Sequence, residues 1–341
     1  MTAVVLRADA SPTLGSGHVM RLLALADEIH ARHGQAMFVV NPAAGAVAEQ
    51  VAQRGHGLCV LDVPSGTGDD ADVVLDVARG IGATTVVVDG KDFPAAYLGA
   101  LGASGLRVGA VDDLGRRDLA VALVVNHNPG AQRLLARYPQ AGRTLLGRRY
   151  HLLRAEFRGH PRGGSELPPA GAPLRVLVSF GGSDPTRATP RVLRCLPAKP
   201  ALTLCVVAGP AYGDDGELAA AALDAAARGH TVELVRAAPD MAWLMATCDA
   251  AIAAAGGTLG ELAYLGRPTA AYVVAADQVL GAAELVAAGS AFSGALLSTL
   301  DDDALRAQLS HFLGDHALRV ELGRQAAREV GPEPHCLDVV L

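Results

Sequence analysis

The sequence predicts an α/β protein made of two Rossmann-like, doubly wound domains that face a cleft. Two glycine-rich turns support this prediction, one around His18 and one at Gly181 and Gly182. Each turn follows an apolar run that is typical of a buried parallel strand, and each precedes a helical pattern. Backbone N–H groups at such strand-to-helix turns bind phosphate and sugar oxygens.

Length and charge limit the classes of protein that are compatible with the chain. The 341 residues suffice for two hydrophobic cores, and half of them are hydrophobic. The net charge of −6 argues against a general nucleic-acid partner. No apolar run reaches the roughly 18 residues of a membrane span, and the first residues resemble a strand rather than a signal peptide. We therefore expect a cytoplasmic protein.

The cysteines are odd in number and include no C-x-x-C pair, so we expect reduced and mostly buried thiols. They are Cys59, Cys195, Cys205, Cys248 and Cys336.

Strand and helix patterns alternate along the first predicted domain, residues 1–157. The apolar runs are continuous, as in strands covered by helices on both faces. They are AVVLRAD, AMFVVNP, LCVLDV, TTVVVDG, LRVGAVDD and LVVNHN. The first helix is expected from about His18 to Arg32, and Gly34 is expected to end it.

Residues 158–172 are rich in proline and glycine, which predicts an interdomain linker. The alternation resumes in the second predicted domain, residues 173–341. Its strand-like runs are LRVLVSF, LTLCVVAG, TVELVRA, AAIAAA and PTAAYVV. Acidic residues 301–303 are expected to start a helix, and the last helix, through about Glu329, is expected to pack back on the first domain.

The turn Gly15-Ser16-Gly17-His18 contains the strongest acid–base candidate. Its glycines allow the backbone to approach a ligand closely. The positive end of the helix dipole disfavours an imidazolium at His18, which leaves a neutral imidazole able to accept a proton from water. A dinucleotide-binding motif is excluded, because the third glycine of G-x-G-x-x-G would fall at Met20. A purely structural histidine is the alternative.

Further polar candidates lie at predicted strand ends, where open α/β sheets bind ligands. Asp9 either orients His18, binds a sugar hydroxyl or caps a loop. Arg21 lies one helical turn after His18 and either binds an anionic group or covers the helix surface. Other residues either bind hydroxyls or belong to polar loops, namely Asp89, Lys91, Asp92, Asp112 and Asp113.

Two glycine turns of the second domain together indicate a diphosphate site. They are Gly181-Gly182-Ser183 and Gly256-Gly257-Thr258. Asp184 and Pro185 are expected at the N-cap and first position of a helix. Glu261 lies one helical turn inward and is placed to accept hydrogen bonds from both ribose hydroxyls. Asp277-Gln278 either contacts the sugar or caps a helix.

The sequence contains no metal-binding pattern of the H-E-x-x-H, C-x-x-C or D-x-D-x-D-G type, and no G-x-S-x-G nucleophile elbow. We expect neither a metal ion nor a cofactor.

Several motifs together resemble the nucleotide-sugar hydrolases of pseudaminic acid biosynthesis, which hydrolyse UDP-2,4-diacetamido-2,4,6-trideoxy-β-L-altropyranose. The motifs span nearly the whole chain in order. They are RADASPTLGSGHVMR, VVVD, the DD pair at 112–113, LLGRRYHLLRAEF, VSFGGSDP and AAGGTLGELAYLGRP. That family is similar to GT-B glycosyltransferases, including the peptidoglycan N-acetylglucosaminyltransferase.

The resemblance implies metal-independent attack of water on the anomeric carbon, with C–O cleavage and release of UDP. His18 matches the catalytic histidine and would activate the water. Asp9 and Arg21 would lie near the sugar, and Glu261 would bind the ribose. The glycine turns would hold the diphosphate through Gly181, Gly182, Gly257 and Thr258.

Two positions depart from the family pattern. Asp89-Gly90-Lys91 stands where the family has aspartate followed by His-Tyr. Asp277-Gln278 replaces Asn-Gln, which exchanges an amide donor for a charged acceptor. Both changes fall at the reacting end, so the expected substrate is a UDP-linked amino or deoxy sugar without a more specific identity.

Two other classes of function stay open. A GT-B glycosyltransferase would move the sugar to a small-molecule acceptor, since an acceptor hydroxyl or amine can replace water beside His18. A non-catalytic nucleotide-sugar-binding subunit would bind the nucleotide without turnover.

Overall fold

A computed structural model describes residues 2–11, 14–163, 166–209, 211–213, 216–238 and 240–330. The chain divides into two compact units between Ala155 and Glu156. The predicted linker, residues 158–172, follows this division and stays a prediction. Cys336 and the last part of the predicted second domain lie outside the described residues.

The first unit is built on a parallel seven-stranded sheet with the strand order β3-β2-β1-β4-β5-β6-β7. The strands are β1 (Ala3–Ala8), β2 (Gln35–Val40), β3 (Gly57–Val60), β4 (Thr85–Asp89), β5 (Arg107–Val111), β6 (Leu123–Asn126) and β7 (Arg143–Leu146). The helices are α1 (Gly17–Ala31), α2 (Gly45–Gln53), α3 (Gly68–Ile81) and α4 (Ala95–Ala103). The chain changes direction across the sheet between β1 and β4, which is where doubly wound folds bind ligands.

The second unit repeats this plan with a parallel six-stranded sheet ordered β10-β9-β8-β11-β12-β13. The strands are β8 (Leu174–Ser179), β9 (Leu202–Ala208), β10 (Thr231–Arg236), β11 (Ala250–Ala254), β12 (Thr269–Val273) and β13 (Phe292–Leu296). The helices are α5 (Ala188–Cys195), α6 (Glu217–Ala227), α7 (Met241–Thr247), α8 (Thr258–Tyr264), α9 (Val279–Ala287), α10 (Asp302–Gly314) and α11 (His316–Glu329). The predicted class of two doubly wound α/β units is confirmed.

The continuous apolar runs bury both faces of their strands. In β1, Val4 and Leu6 pack into one core cluster of the first unit, whereas Val5 packs into the cluster on the opposite face. All three side chains are fully buried. Burial of each such side chain stabilises the fold by about 1.5–3 kcal/mol. Polar residues are therefore displaced to the strand ends.

Two edge strands, β7 and β13, are absent from the sequence prediction. β7 has four residues and begins with the polar pair Arg143 and Thr144, so it forms no apolar run. β13 contains Ser293 and Gly294, both with positive φ, and its register shifts against β12. Short or irregular edge strands bury less apolar surface and leave a weaker sequence pattern.

The predicted ends of the last two helices agree with the structure. The Asp301 carboxylate accepts a hydrogen bond from the Ala304 N–H at 2.7 Å and caps α10. Helix α11 ends at Glu329 and packs against α8 within the second unit. Packing of this helix on the first domain stays a prediction.

Two expectations from composition can be compared with the described residues. Four cysteines are free, and three of these, Cys195, Cys205 and Cys248, are buried. Among the described residues, no helix is both long and apolar enough to cross a bilayer.

Candidate functional site

The first candidate site lies at the carboxyl ends of β1 and β4, where α1 begins. Gly15 has a positive φ of 79°, a conformation that glycine adopts without strain, and its N–H donates to the Ser11 carbonyl at 2.8 Å. Ser16 is the N-cap of α1, and Gly17 is its first residue. This turn places His18 in the first turn of the helix, beside the end of β4.

His18 is paired with Asp89, the last residue of β4. Its Nδ1 lies 2.7 Å from Asp89 Oδ1, and the Asp89 side chain is fully buried, whereas 19% of the His18 side chain is exposed. Arg21 Nη2 lies 3.0 Å from the same nitrogen. Because a carboxylate only accepts and the Arg21 N–H groups already donate to carboxylates, we assign the proton to Nδ1. His18 Nε2 then carries a free lone pair.

Arg21 joins two carboxylates. Its guanidinium donates to both oxygens of Asp89, and to Asp113 Oδ1 and Oδ2 at 3.0 and 2.7 Å. Burial by itself lowers the pKa of Arg21, but Asp89 and Asp113 outweigh burial and hold this pKa above its ordinary value. Arg21 therefore does not simply cover the helix surface, because its guanidinium is held by two carboxylates. Binding of an anionic group by Arg21 stays a prediction.

Three further residues, Asp113, His127 and Asn128, lie around Arg21. Together with His18, Arg21 and Asp89 they form what we call the His18 cluster. Asn128 Nδ2 donates to Asp113 Oδ1 at 2.7 Å. Burial alone raises the pKa of the Asp113 carboxyl, but Arg21 outweighs it and lowers this pKa well below the usual range. The carboxylate is therefore ionised.

His127 lies behind Arg21, with Nε2 at 3.4 Å from Arg21 Nη1. Its Nδ1 accepts a hydrogen bond from the Leu152 N–H at 3.3 Å, and its ring lies 4.9 Å from the His151 ring. Burial, together with the positive charge of Arg21, lowers the pKa of His127 to about 4. His127 is therefore neutral near pH 7.

Asp9 belongs to a separate buried network. Its carboxylate is paired with Arg7, which also binds Asp70, and it accepts hydrogen bonds from Ser65 Oγ and the Asn41 N–H. Arg7 and Asp9 are two positions apart along an extended segment, so their side chains lie on one face. The carboxylate that contacts His18 is Asp89, and the hypothesis that Asp9 orients His18 is wrong. Asp9 joins the loops after β2 and β3 through Asn41 and Ser65, and its contact with a sugar hydroxyl stays a prediction.

Lys91 follows Asp89 across Gly90, in the turn after β4. The Lys91 side chain is exposed and forms no ion pair with a described residue. It is thus accessible to solvent two positions beyond the residue that contacts His18.

The second candidate site consists of loops of the second unit. Gly181 has a φ of 91° in the turn after β8. A Cβ at Gly209 would collide with the backbone of Gly182, and the Ala211 N–H donates to the Gly182 carbonyl at 3.0 Å. Sequence reasoning missed Gly209, although it directly follows the apolar run of β9. Close backbone packing between two loops requires glycine there.

The helix after the first glycine turn begins later than predicted. Asp184 has a φ of 41°, and its carboxylate accepts hydrogen bonds from the Ala188 and Thr189 N–H groups at 2.9 and 2.8 Å. Asp184 thus caps α5, but Arg187 is its N-cap residue and Pro185 lies in the preceding turn. The expected positions of Asp184 and Pro185 are corrected, because Asp184 engages the first two N–H groups of α5 from outside the helix.

The second glycine turn leads into α8. Gly257 is the N-cap residue of this helix, and Glu261 lies one turn inward with 8% of its surface exposed. A Cβ at Gly256 would lie 3.5 Å from Gln278 Nε2, and Gln278 Oε1 accepts a hydrogen bond from the Val274 N–H. Gln278 therefore flanks this turn, whereas its neighbour Asp277 is exposed.

Within the described ranges, no group of three or more histidine, cysteine, aspartate or glutamate side chains is arranged to hold a metal ion. Metal-independent chemistry stays a prediction.

No protein-family profile matches the chain, and no curated protein matches its sequence. Solved structures match it over nearly its whole length. MurG from Acinetobacter baumannii has a TM-score of 0.68 at 18% identity, covering 100% of this chain and 99% of that chain. MnaA from S. aureus, solved with UDP, has a TM-score of 0.64 at 12% identity, covering 99% and 94%.

The spinosyn rhamnosyltransferase SpnG, solved with thymidine diphosphate, has a TM-score of 0.62 at 16% identity, covering 97% of this chain and 98% of that chain. These likenesses, together with the two parallel sheets, show that the chain has the GT-B fold.

Proposed function

We propose that this protein is a nucleotide-sugar hydrolase that releases UDP from a UDP-linked amino or deoxy sugar. The observation that carries the proposal is the contact between His18 Nδ1 and the buried Asp89 carboxylate. It leaves Nε2 as a base in the first turn of α1. The motif resemblance to the pseudaminic acid hydrolases and the UDP in the MnaA structure support the substrate class.

The proposed reaction is an inverting displacement. A water oxygen attacks the anomeric carbon while His18 Nε2 takes one of its protons, and the C–O bond to the diphosphate breaks. The electron pair of that bond leaves with UDP, and the sugar keeps the hydroxyl of the water. Asp89 stabilises the imidazolium that forms, since the negative carboxylate lies on Nδ1–H. The proton then returns to solvent.

The glycine turns of the second unit are proposed to hold the nucleotide. Gly181, Gly182 and Ser183 would bind the diphosphate together with Gly256, Gly257 and Thr258. The position of Glu261 at the end of the first turn of α8 suits a ribose contact. Lys91 and the pair Asp277 and Gln278 are proposed to contact the sugar, along with the backbone at Gly15 and Gly17.

Sugar transfer is the second candidate function. SpnG is a rhamnosyltransferase of the same fold, and a base at His18 Nε2 would deprotonate an acceptor hydroxyl as readily as water. The third class, a binding subunit without activity, would bind UDP and turn over no nucleotide sugar.

Turnover of a panel of nucleotide sugars in ¹⁸O-labelled water, with and without candidate acceptors, separates these functions. Hydrolysis by C–O cleavage puts the label into the free sugar. Nucleotide release only with an acceptor, together with an unlabelled glycosylated product, would replace hydrolysis by transfer. UDP binding without any turnover would support the binding subunit.

His18→Ala tests the proposed base. We expect turnover to fall by a factor on the order of 10² or more, with nearly unchanged UDP affinity, because the histidine acts on the water and not on the nucleotide. Steady-state kinetics and calorimetric titration with UDP measure the two quantities. Retained turnover in this variant would remove His18 from the mechanism.

A further inference from the structure

The His18 cluster contains a second carboxylate, that of Asp113, which has no role in the proposed reaction. Arg21 is positive, Asp89 and Asp113 are negative, and His127 is neutral. With His18 neutral the cluster has a net charge of −1, and with His18 protonated it has a net charge of zero. The second carboxylate therefore makes proton uptake by His18 more favourable than Asp89 and Arg21 alone would.

Asp113 reaches His18 only through Arg21. Its two oxygens bind Arg21 Nη1 and Nη2, whereas Asp89 binds Arg21 through Nε and Nη2. The guanidinium is thus held on two edges, and its position against Asp89 is fixed. Without the second edge, Arg21 would be free to rotate away from Asp89.

The neighbouring Asp112 contacts its own loop and not Arg21. Its carboxylate accepts hydrogen bonds from the Leu114, Gly115 and Arg116 N–H groups and from Tyr138 Oη. Asp112 therefore shapes the loop that carries Asp113. Asn128 then orients Asp113 toward Arg21 from the loop after β6.

We propose that Asp113 is a positioning residue for the His18 base, acting through Arg21. It fixes the guanidinium against Asp89, and its negative charge offsets part of the positive charge of Arg21. The negative charge of Asp89 is then left to stabilise protonated His18. This inference rests on the proposed role of His18 and adds a residue that touches neither water nor sugar.

The charged and titratable groups that bear on His18 come from several elements. Arg21 is on α1 and Asp89 ends β4, and both contact the imidazole. Asp113 lies in the loop after β5, and His127 in the loop after β6. Lys91 follows β4 and is exposed to solvent.

Asp113→Asn is the decisive variant, because it keeps the shape and removes the charge. We expect the midpoint of His18 protonation to lie at lower pH in this variant than in the unchanged protein, since a negative charge bonded to Arg21 is lost. The acid limb of the kcat profile should move in the same direction, with kcat lower by roughly tenfold and KM nearly unchanged. Asp113→Glu keeps the charge and should restore the midpoint.

The protonation midpoint can be measured without a substrate. Diethyl pyrocarbonate acylates an imidazole only in its unprotonated form, so the pH dependence of modification at His18, mapped by mass spectrometry, gives the midpoint. His33 is exposed and serves as an internal standard. Asp76→Asn is the matched control, because Asp76 forms an exposed pair with Arg79 in the same unit.

The outcomes separate this inference from the proposed function. A lower His18 midpoint in Asp113→Asn, restored in Asp113→Glu, supports the inference even if no nucleotide sugar is turned over. An unchanged midpoint overturns it, whatever happens to kcat. If Asp113→Asn does not fold, Asn128→Ala removes the hydrogen bond that orients Asp113. A lower His18 midpoint with unchanged stability then supports the positioning role, and an unchanged midpoint overturns it.

Discussion

At the residue scale, the buried Asp89 carboxylate decides what His18 can do. The start of α1 disfavours an imidazolium through the helix dipole, whereas Asp89 favours it through a direct contact at 2.7 Å. A direct ionic contact is stronger than the end of a helix dipole. The imidazole is thus held by Nδ1, and Nε2 is the nitrogen that the proposed hydrolysis would use as a base.

Asp89→Asn should lower kcat by a factor on the order of 10². The amide can donate to Nδ1, which would stabilise the other tautomer and place the proton on Nε2, where the base needs a lone pair. Steady-state kinetics on the substrate found in the panel measure the effect. Asp92→Asn, which changes an exposed carboxylate in the same turn, should leave kcat nearly unchanged. Equal losses in both variants would contradict the special role of Asp89.

The residues of this site were predictable from the sequence, but the contacts between them were not. His18 and Asp89 are recognisable as a turn residue and a strand-end residue, yet they are 71 positions apart. Parallel strands bring all their carboxyl ends to one edge, so Asp9, Asp89 and Asp113 were equally good partners for His18. Asp9 is not available to His18 because Arg7 binds it. This contact depends on packing that no local sequence pattern records.

At the element scale, the loops of the second unit depend on backbone contacts. The turn at Gly182 lies directly against Gly209 after β9, with no room for a side chain between them. Such contacts fix a loop more firmly than side chains, since the backbone has few alternative conformations. If the Gly181 turn holds the nucleotide, as proposed, binding would therefore also depend on Gly209.

Gly209→Ala should weaken UDP binding by about tenfold or more, because the added methyl group displaces the Gly182 backbone. Calorimetric titration with UDP measures the change. Gly213→Ala is the matched control in the same loop, since a Cβ there meets only the end of the Arg187 side chain at 3.7 Å. Unchanged UDP affinity in Gly209→Ala would show that the Gly181 turn does not hold the nucleotide.

Arginine side chains close the ends of several helices in the second unit. Arg228 donates to the carbonyls of Leu193, Arg194 and Leu196 at the end of α5. Arg319 does the same for Phe312 and Leu313 near the end of α10. These carbonyls lie in the last turn of a helix or at its C-cap, where the helical N–H donors run out, so a cation satisfies both their hydrogen bonding and the negative end of the dipole.

Arg228→Ala should lower the free energy of unfolding by about 1–2 kcal/mol, because carbonyls at the end of α5 lose their donors. Urea denaturation followed by Trp243 fluorescence reports on the second unit, which contains this single tryptophan. Arg306→Ala removes only an exposed pair with Asp303 and should change stability by less than about 0.5 kcal/mol. A similar small change in both variants would contradict the capping role.

At the scale of the whole molecule, the fold class was predictable because both units obey one pattern. Continuous apolar runs alternate with helices, and the strand order reverses once in each sheet. The elements that escaped prediction, β7 and β13, lie at sheet edges, where burial on two faces no longer dictates apolar residues. The start of α5 escaped for a related reason, since Asp184 caps the helix from outside it and leaves Arg187 in a left-handed conformation.

The first unit contains two buried neutral histidines, His127 in the His18 cluster and His151 beside it. Burial lowers both pKa values, that of His127 to about 4, and the charge of Arg21 adds to the effect. In the unfolded chain, His127 binds a proton near pH 6.5, whereas in the folded unit it resists protonation down to about pH 4. The unfolded state therefore binds more protons between these values, and stability rises with pH there.

The first unit should accordingly lose stability as the pH falls from 6.5 toward 4, with His127 contributing up to about 3 kcal/mol of the loss. Hydrogen exchange measured by mass spectrometry would locate the effect, with earlier exchange in β6 and β7 than in the strands of the second unit. His127→Asn keeps an acceptor for the Leu152 N–H and removes the titrating group, so its stability should depend less on pH across this range. An unaltered pH dependence in His127→Asn would assign the acid sensitivity to other groups and leave His127 as a packing residue.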